Sequence, residues 1–169
     1  LLDAAGGTLS TVVVDLETGR AADDVTPATL EAALADPANW TTLTPAEDRA
    51  GLGQRPDFAQ VFLLREGDKV ELALLPMAGQ GYGGRIDAIL ALRDDMNTIA
   101  GIAITSHSET PGLGGRIDEP TWQANFPGTR VRGPDGEIRF AVARGEATGD
   151  YAVDGITGAT RTGSAIAGM

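Results

Sequence analysis

Two short stretches hold most of the side chains that could do chemistry. His107-Ser108-Glu109-Thr110-Pro111-Gly112-Leu113-Gly114-Gly115 packs one titratable ring, one carboxylate, two hydroxyls and three glycines into nine residues. It follows a strand-like run, and loops at strand ends commonly carry function. His107 could serve a Ser-His-Asp arrangement, but no G-x-S-x-G elbow exists; the alternative is a structural imidazole. Glu109 either braces the turn that follows, by accepting backbone N–H bonds, or contacts a ligand. Asp154-Gly155-Ile156-Thr157-Gly158-Ala159-Thr160-Arg161-Thr162 is a small-residue turn entering a helix. Bare N–H groups at a helix start attract anions, and Thr157, Thr160 and Arg161 flank them. The alternative is a plain turn with threonine as cap.

A third stretch, Gly79-Gln80-Gly81-Tyr82-Gly83-Gly84, matches G-x-G-x-x-G. A dinucleotide fold needs a helix to open there and a crossover of a dozen or more residues. Only about ten residues separate Gly84 from the next turn, and another strand follows. Two other readings stand: a glycine-rich bend between strands, or a bare backbone lying against a flat ligand.

Composition removes many chemistries. The 169 residues contain no cysteine and a single histidine. Thiolate zinc, iron–sulfur clusters, disulfides and cysteine nucleophiles are excluded, and a multi-histidine metal site with them. Lys69 is the lone lysine against twelve arginines, and it sits in no glycine loop, so a P-loop is excluded. The net charge of −11 disfavours nucleic acid and anionic lipid heads as partners.

Positioning these stretches requires a sheet. Hydrophobic residues make up 42% and charged residues 22%, and the length suits one domain spanning residues 1–169. The segments 61–65 and 70–75 alternate as strands joined at Glu66-Gly67-Asp68, and 86–93 pairs with 98–105 across residues 94–97. Ile138, Phe140 and Val142 alternate with Arg139, Ala141 and Ala143, which predicts a half-buried strand. Thr26-Pro27 predicts a helix start ahead of Leu30, Ala33 and Leu34. Thr44-Pro45-Ala46-Glu47 is a capping box opening a short helix before Gly51 and Gly53. Glu119-Pro120 predicts another short helix to Phe126, and Thr160 opens the last one. The fold class is α+β, an antiparallel sheet with flanking helices, without repeats or linkers. No run approaches the roughly 18 apolar residues of a membrane helix. The opening Leu-Leu-Asp-Ala-Ala-Gly-Gly lacks signal-peptide features and an initiator Met, which predicts a fragment of a longer protein.

Together, Glu109-Thr110-Pro111-Gly112-Leu113-Gly114 and Asp154-Gly155-Ile156-Thr157-Gly158-Ala159-Thr160 resemble the motifs of the FMN-binding domain family with covalently attached flavin. That family includes the C subunit of the sodium-translocating NADH:quinone reductase and the G subunit of the Rnf complex. The likeness to the quinone reductase type runs over nearly the whole chain. It takes in Val13-Val14-Asp15-Leu16-Glu17-Thr18-Gly19, Pro45-Ala46-Glu47-Asp48, Leu74-Leu75-Pro76, Gly79-Gln80-Gly81-Tyr82, Asn97-Thr98, Gly115, Asp118 and Trp122.

The resemblance implies FMN joined through its phosphate to the hydroxyl of Thr160. It implies cofactor contacts from Gly81, Tyr82, Gly83, Glu109, Thr110, Gly112, Leu113, Ile156, Thr157, Gly158 and Ala159. It implies a flavin transferase that takes FMN from FAD, companion subunits, and an N-terminal membrane helix missing from this fragment. By the same likeness, the domain sits on the periplasmic side of a bacterial inner membrane and relays electrons. An Rnf-type G subunit and a flavin-free interaction domain are the alternatives. Three features depart from the family pattern. Thr157 stands where serine is usual, Gly163-Ser164-Ala165 replaces Ser-Asn-Gly, and the tryptophan common just after the glycine-rich loop is absent from Tyr82-Gly83-Gly84, so aromatic stacking there would come from Tyr82.

Overall fold

The computed structural model describes residues 7–169; nearly all of the opening Leu-Leu-Asp-Ala-Ala-Gly-Gly lies outside the described residues. Six strands form the main sheet: β1 (Thr8–Asp15), β2 (Arg20–Ala21), β5 (Phe58–Glu66), β6 (Lys69–Gln80), β7 (Arg85–Arg93) and β8 (Ile99–Ser106). Their order is β2-β1-β5-β6-β7-β8, and every neighbouring pair is antiparallel. Between β1 and β5 lie α1 (Leu30–Ala35) and a small ladder of β3 (Trp40–Thr42) with β4 (Gln54–Pro56). After β8 come a 3-10 turn (Gly114–Asp118), α2 (Pro120–Gln123), a parallel pair of β9 (Ala141–Val142) with β10 (Ala152–Val153), and α3 (Thr160–Gly168). This is the α+β antiparallel architecture expected from the alternation of the sequence.

Register explains which face is buried. Ala73, Leu75, Met77 and Gly79 of β6 stand opposite Leu92, Leu90, Ala88 and Ile86 of β7. Period-two alternation puts these eight on one face. There Ile86 and Ile99 join Ile117, Trp122, Phe126, Val153 and Ile166 in one core. Trp122 meets Phe126 edge-on at 5.0 Å, and Phe126 meets Phe140 at 5.9 Å. Helix α3 lies directly on β6: a β-carbon on Gly79 would sit 2.9 Å from the Ala165 carbonyl oxygen.

Three local expectations are corrected. The half-buried strand through Ile138, Phe140 and Val142 is reduced to Ala141–Val142, and Ile138 is exposed. Ile138 bridges Arg132, the amides of Arg139 and Phe140 both donate to the Val131 carbonyl, and β9 pairs elsewhere, with β10. One segment with two partners cannot keep one alternation. The capping box at Thr44 makes a single turn and no helix. Glu47 accepts from the Thr44 amide at 3.0 Å and from its hydroxyl at 2.7 Å, so that hydroxyl is not free to cap. Asp48 then accepts from the Leu52 and Gly53 amides, closing the loop. The first helix begins at Leu30 with Thr29 as cap residue, because Thr26 and Thr29 hydrogen-bond each other.

The β7–β8 turn makes a pH prediction. Asp95 accepts from the Thr98 hydroxyl at 2.6 Å and from the Thr98 and Asn97 amides. The Thr98 hydroxyl first, then the two amides, hold its carboxyl below the ordinary aspartate value of 3.8. A depressed carboxyl contributes stability above its unfolded value, and that contribution disappears as pH falls through the folded one. Asp95→Asn is expected to lower Tm modestly at neutral pH, with the gap to the parent closing below pH 3.8 in thermal scans. A gap constant across pH contradicts this.

Candidate functional site

The site is assembled on one buried carboxylate. Glu109 is 5% exposed, three residues beyond the end of β8 at Ser106. Its Oε1 accepts the Gly83 amide at 2.7 Å, from the turn between β6 and β7. Its Oε2 accepts a hydrogen bond from the hydroxyl of Thr162 on α3. One side chain therefore ties together three segments far apart in sequence. Glycines make room for it. A β-carbon on Gly81 or Gly114 would press on the carboxylate, and one on Gly83 would fall on the Ser108 carbonyl. Among the described residues no buried side-chain polar atom lacks a partner.

His107 secures the same loop. Its Nδ1 accepts the Glu109 amide at 2.9 Å, which places the ring proton on Nε2, 2.7 Å from the Asp118 carboxylate. Both ring nitrogens are engaged, so the imidazole is structural and serves no nucleophile. The glycine-rich run is a bend. Gly79 and Gln80 finish β6, the Gly81 amide donates to the Gly84 carbonyl at 2.8 Å, and β7 follows without a helix. The dinucleotide reading is overturned. Tyr82 is 74% exposed at the tip of this bend.

The loop after Glu109 folds back on itself. The Thr110 carbonyl accepts the Leu113 and Gly115 amides, and Gly112 takes a φ of +75° that favours glycine. Leu113 is nearly half exposed, and its Cδ2 lies 3.2 Å from where a β-carbon on Gly158 would stand. The 109–114 loop and the turn before α3 thus touch at Leu113.

That turn is anchored from below. The Trp122 indole donates to the Asp154 carbonyl at 2.8 Å, and the Asp154 carboxylate accepts the Ala147 amide at 2.7 Å. Ile156 and Ala159 are buried, whereas Thr157, Gly158 and Thr160 are exposed. Ala159 is the cap residue of α3 and makes no side-chain cap hydrogen bond, so the first-turn amides are not taken by a side chain. Beside them opens a cleft of about 190 Å³, lined among others by Val142, Arg144, Thr157, Thr160 and Ser164. An exposed hydroxyl and uncapped amides along one cleft, with Arg144 in its lining, can hold a phosphate ester: the hydroxyl supplies the ester oxygen, and the amides meet the remaining charge.

Sequence reasoning singled out Glu109, which the structure buries at the meeting of three segments, and Thr160, which it places on the cleft; it did not single out Thr162, Arg144 or Ser164. Thr162 carried a signal: it lies two residues after Thr160, about 200° around a helix, and so on the opposite side.

The profile of the FMN-binding domain family matches residues 81–169, which hold all three loops. The C subunit of the Na(+)-translocating NADH-quinone reductase of Pseudomonas aeruginosa is 34% identical over 161 residues, covering 91% of this chain and 62% of that protein. The same subunit of Yersinia pestis is 35% identical over 159 residues, covering 91% and 59%. The chain thus spans about six-tenths of the curated relatives it matches. The crystal structure of Shewanella oneidensis NqrC superposes with a TM-score of 0.82 at 27% identity, covering 95% of this chain and 75% of that one.

Proposed function

We propose, from the premise that this chain belongs to the FMN-binding domain family, that residues 1–169 form one domain carrying FMN as a phosphoester on Thr160 and relaying electrons. The relay serves a membrane-bound, sodium-translocating NADH:quinone reductase to which this chain belongs as one of several subunits. The observation that carries the reading is the exposed Thr160 hydroxyl at the uncapped start of α3, beside the cleft lined by Arg144. In this reading a flavin transferase installs the group. Companion subunits pass and receive electrons, and a membrane helix outside this chain anchors the domain on the periplasmic side. Among the described residues no helix is long and apolar enough to cross a membrane.

Bound FMN supplies the redox chemistry, and the protein supplies orientation and electrostatics. Thr160 Oγ is the tether. The first-turn amides of α3 and the Arg144 guanidinium hold the charge that a phosphodiester keeps. Leu113, packed against Gly158, offers apolar surface beside the tether, and the Tyr82 ring stands exposed at the tip of the glycine bend. Thr110, Gly112, Thr157 and Ala159 shape the two loops that border it, and Gly81, Gly83, Glu109 and Ile156 hold those loops in place.

The isolated, flavin-loaded domain is expected to bleach with dithionite and stay yellow with NADH under anaerobic conditions. Its glycine bend runs straight into β7, and its net charge of −11 disfavours a dinucleotide's phosphates. Rapid, saturable bleaching by NADH alone contradicts the relay.

A further inference from the structure

Three hydroxyls crowd the start of α3, yet they stand in different environments. Thr157 and Thr160 are exposed along the cleft. Thr162 is 1% exposed and donates to Glu109. Successive helix residues advance about 100°, so a bond that draws Thr162 inward turns Thr160 outward. Glu109 cannot follow a rotating helix, because its other oxygen is held by the Gly83 amide and its own amide by His107. A β-carbon on Gly114 would press on both ends of the Glu109–Thr162 bond, and one on the buried Gly163 would stand 3.2 Å from Val142.

A short helix without a capping side chain frays from its first turn. A side-chain cap would cure the fraying but would occupy the amides that a phosphate needs. We propose that the Glu109–Thr162 hydrogen bond is a rotational lock that replaces the cap: it fixes the first turn of α3 from the buried side, leaves the amides free, and presents Thr160 Oγ for flavin transfer. Glu109 and Thr162 are positioning residues that act through Thr160. The inference rests on Thr160 being the attachment residue. In the transfer, the Oγ–phosphorus bond forms as the phosphoanhydride of FAD breaks. Adenosine monophosphate leaves, and the hydroxyl proton passes to a base of the transferase.

The test has two independent readouts. In the flavin-free protein, hydrogen exchange by mass spectrometry follows the amides of residues 163–166, whose bonds to the carbonyls four residues back close the first turn of α3. In protein produced with the transferase, peptide mapping gives flavin occupancy at Thr160. Thr162→Val is expected to speed exchange of those amides about tenfold relative to the β6–β7 amides and to lower occupancy by a similar factor. Thr162→Ser, which keeps the hydroxyl, restores both. Glu109→Gln, whose side-chain oxygen can accept the Gly83 amide while its NH2 donates to the Thr162 hydroxyl, also keeps both. Should the valine variant fail to fold, Thr162→Ala, which leaves room for water at Glu109, takes the same readouts. Loss of the fold in both variants overturns the proposal, because the bond would then belong to the whole fold and not to the first turn. Parent-like exchange in a folded Thr162→Val or Thr162→Ala overturns it too. Flavin found elsewhere than Thr160 in the parent overturns the attachment assignment instead, and the exchange readout still decides whether the lock exists.

Discussion

Thr160→Ala, produced with a flavin transferase and precipitated in acid, is expected to give a colourless pellet, while the parent pellet is yellow. The substitution removes the one exposed hydroxyl on the first residue of α3 and little else. The side chain is exposed, so stability should stay within the range of a surface change, about 0.5 kcal/mol. Thr157→Ala should retain much of the attached flavin. Thr157 also lines the cleft but precedes Gly158, whose φ of +78° breaks it away from the helix. A helix start concentrates its field within the first turn, so an ester at Thr160 is better stabilised than one at Thr157. A yellow pellet from Thr160→Ala contradicts the assignment of the tether.

Gly83→Ala is expected to damage the site without touching any reacting atom. Its added β-carbon would fall on the Ser108 carbonyl, and backbone cannot step aside as a flexible side chain can. Either the bend or the 107–109 segment must shift, and the Gly83 amide then leaves Glu109. Overpacking typically costs about 1–3 kcal/mol, and the backbone partner argues for about 3 here. Breaking a charge-assisted hydrogen bond to a buried carboxylate adds to the loss. Denaturant unfolding should show the midpoint falling with little change in slope, and flavin occupancy falling with it. Stability equal to the parent contradicts the packing described for this bend. Gly84→Ala is a useful comparison, since its added β-carbon would stand 4.0 Å from the Ser108 Cβ and its penalty comes from a φ of +145° alone.

The same two glycines show where sequence reading succeeds and where it stops. Alternation along 61–65, 70–75, 86–93 and 98–105 exposed the central sheet, because period-two burial is written locally in each strand. The run from Gly79 to Gly84 was visible as glycine-rich, but three readings of it survived. Only the register of β6 against β7, and the carboxylate arriving from 26 residues away, show why the glycines are bare. The segment at Ile138 alternates as cleanly as a strand and is not one, since its pairing is divided between Val131, Arg132 and β10. At Thr44 the capping-box residues hydrogen-bond each other, yet Asp48 and two left-handed glycines end the turn. Glu109 was legible as either brace or ligand contact. Its partner Thr162 stands 53 residues on, a separation that no local pattern encodes.

The mass of one peptide tests the tether most directly. Trypsin cuts after Arg144 and Arg161, so the peptide 145–161 contains Thr157 and Thr160 but excludes Thr162. In protein produced with a flavin transferase, that peptide should gain the mass of FMN less one water. Fragment ions should place the gain on Thr160, with the peptide 162–169 unchanged. An unmodified 145–161 peptide from yellow protein, or a gain located on Thr157 or Thr162, contradicts the central claim.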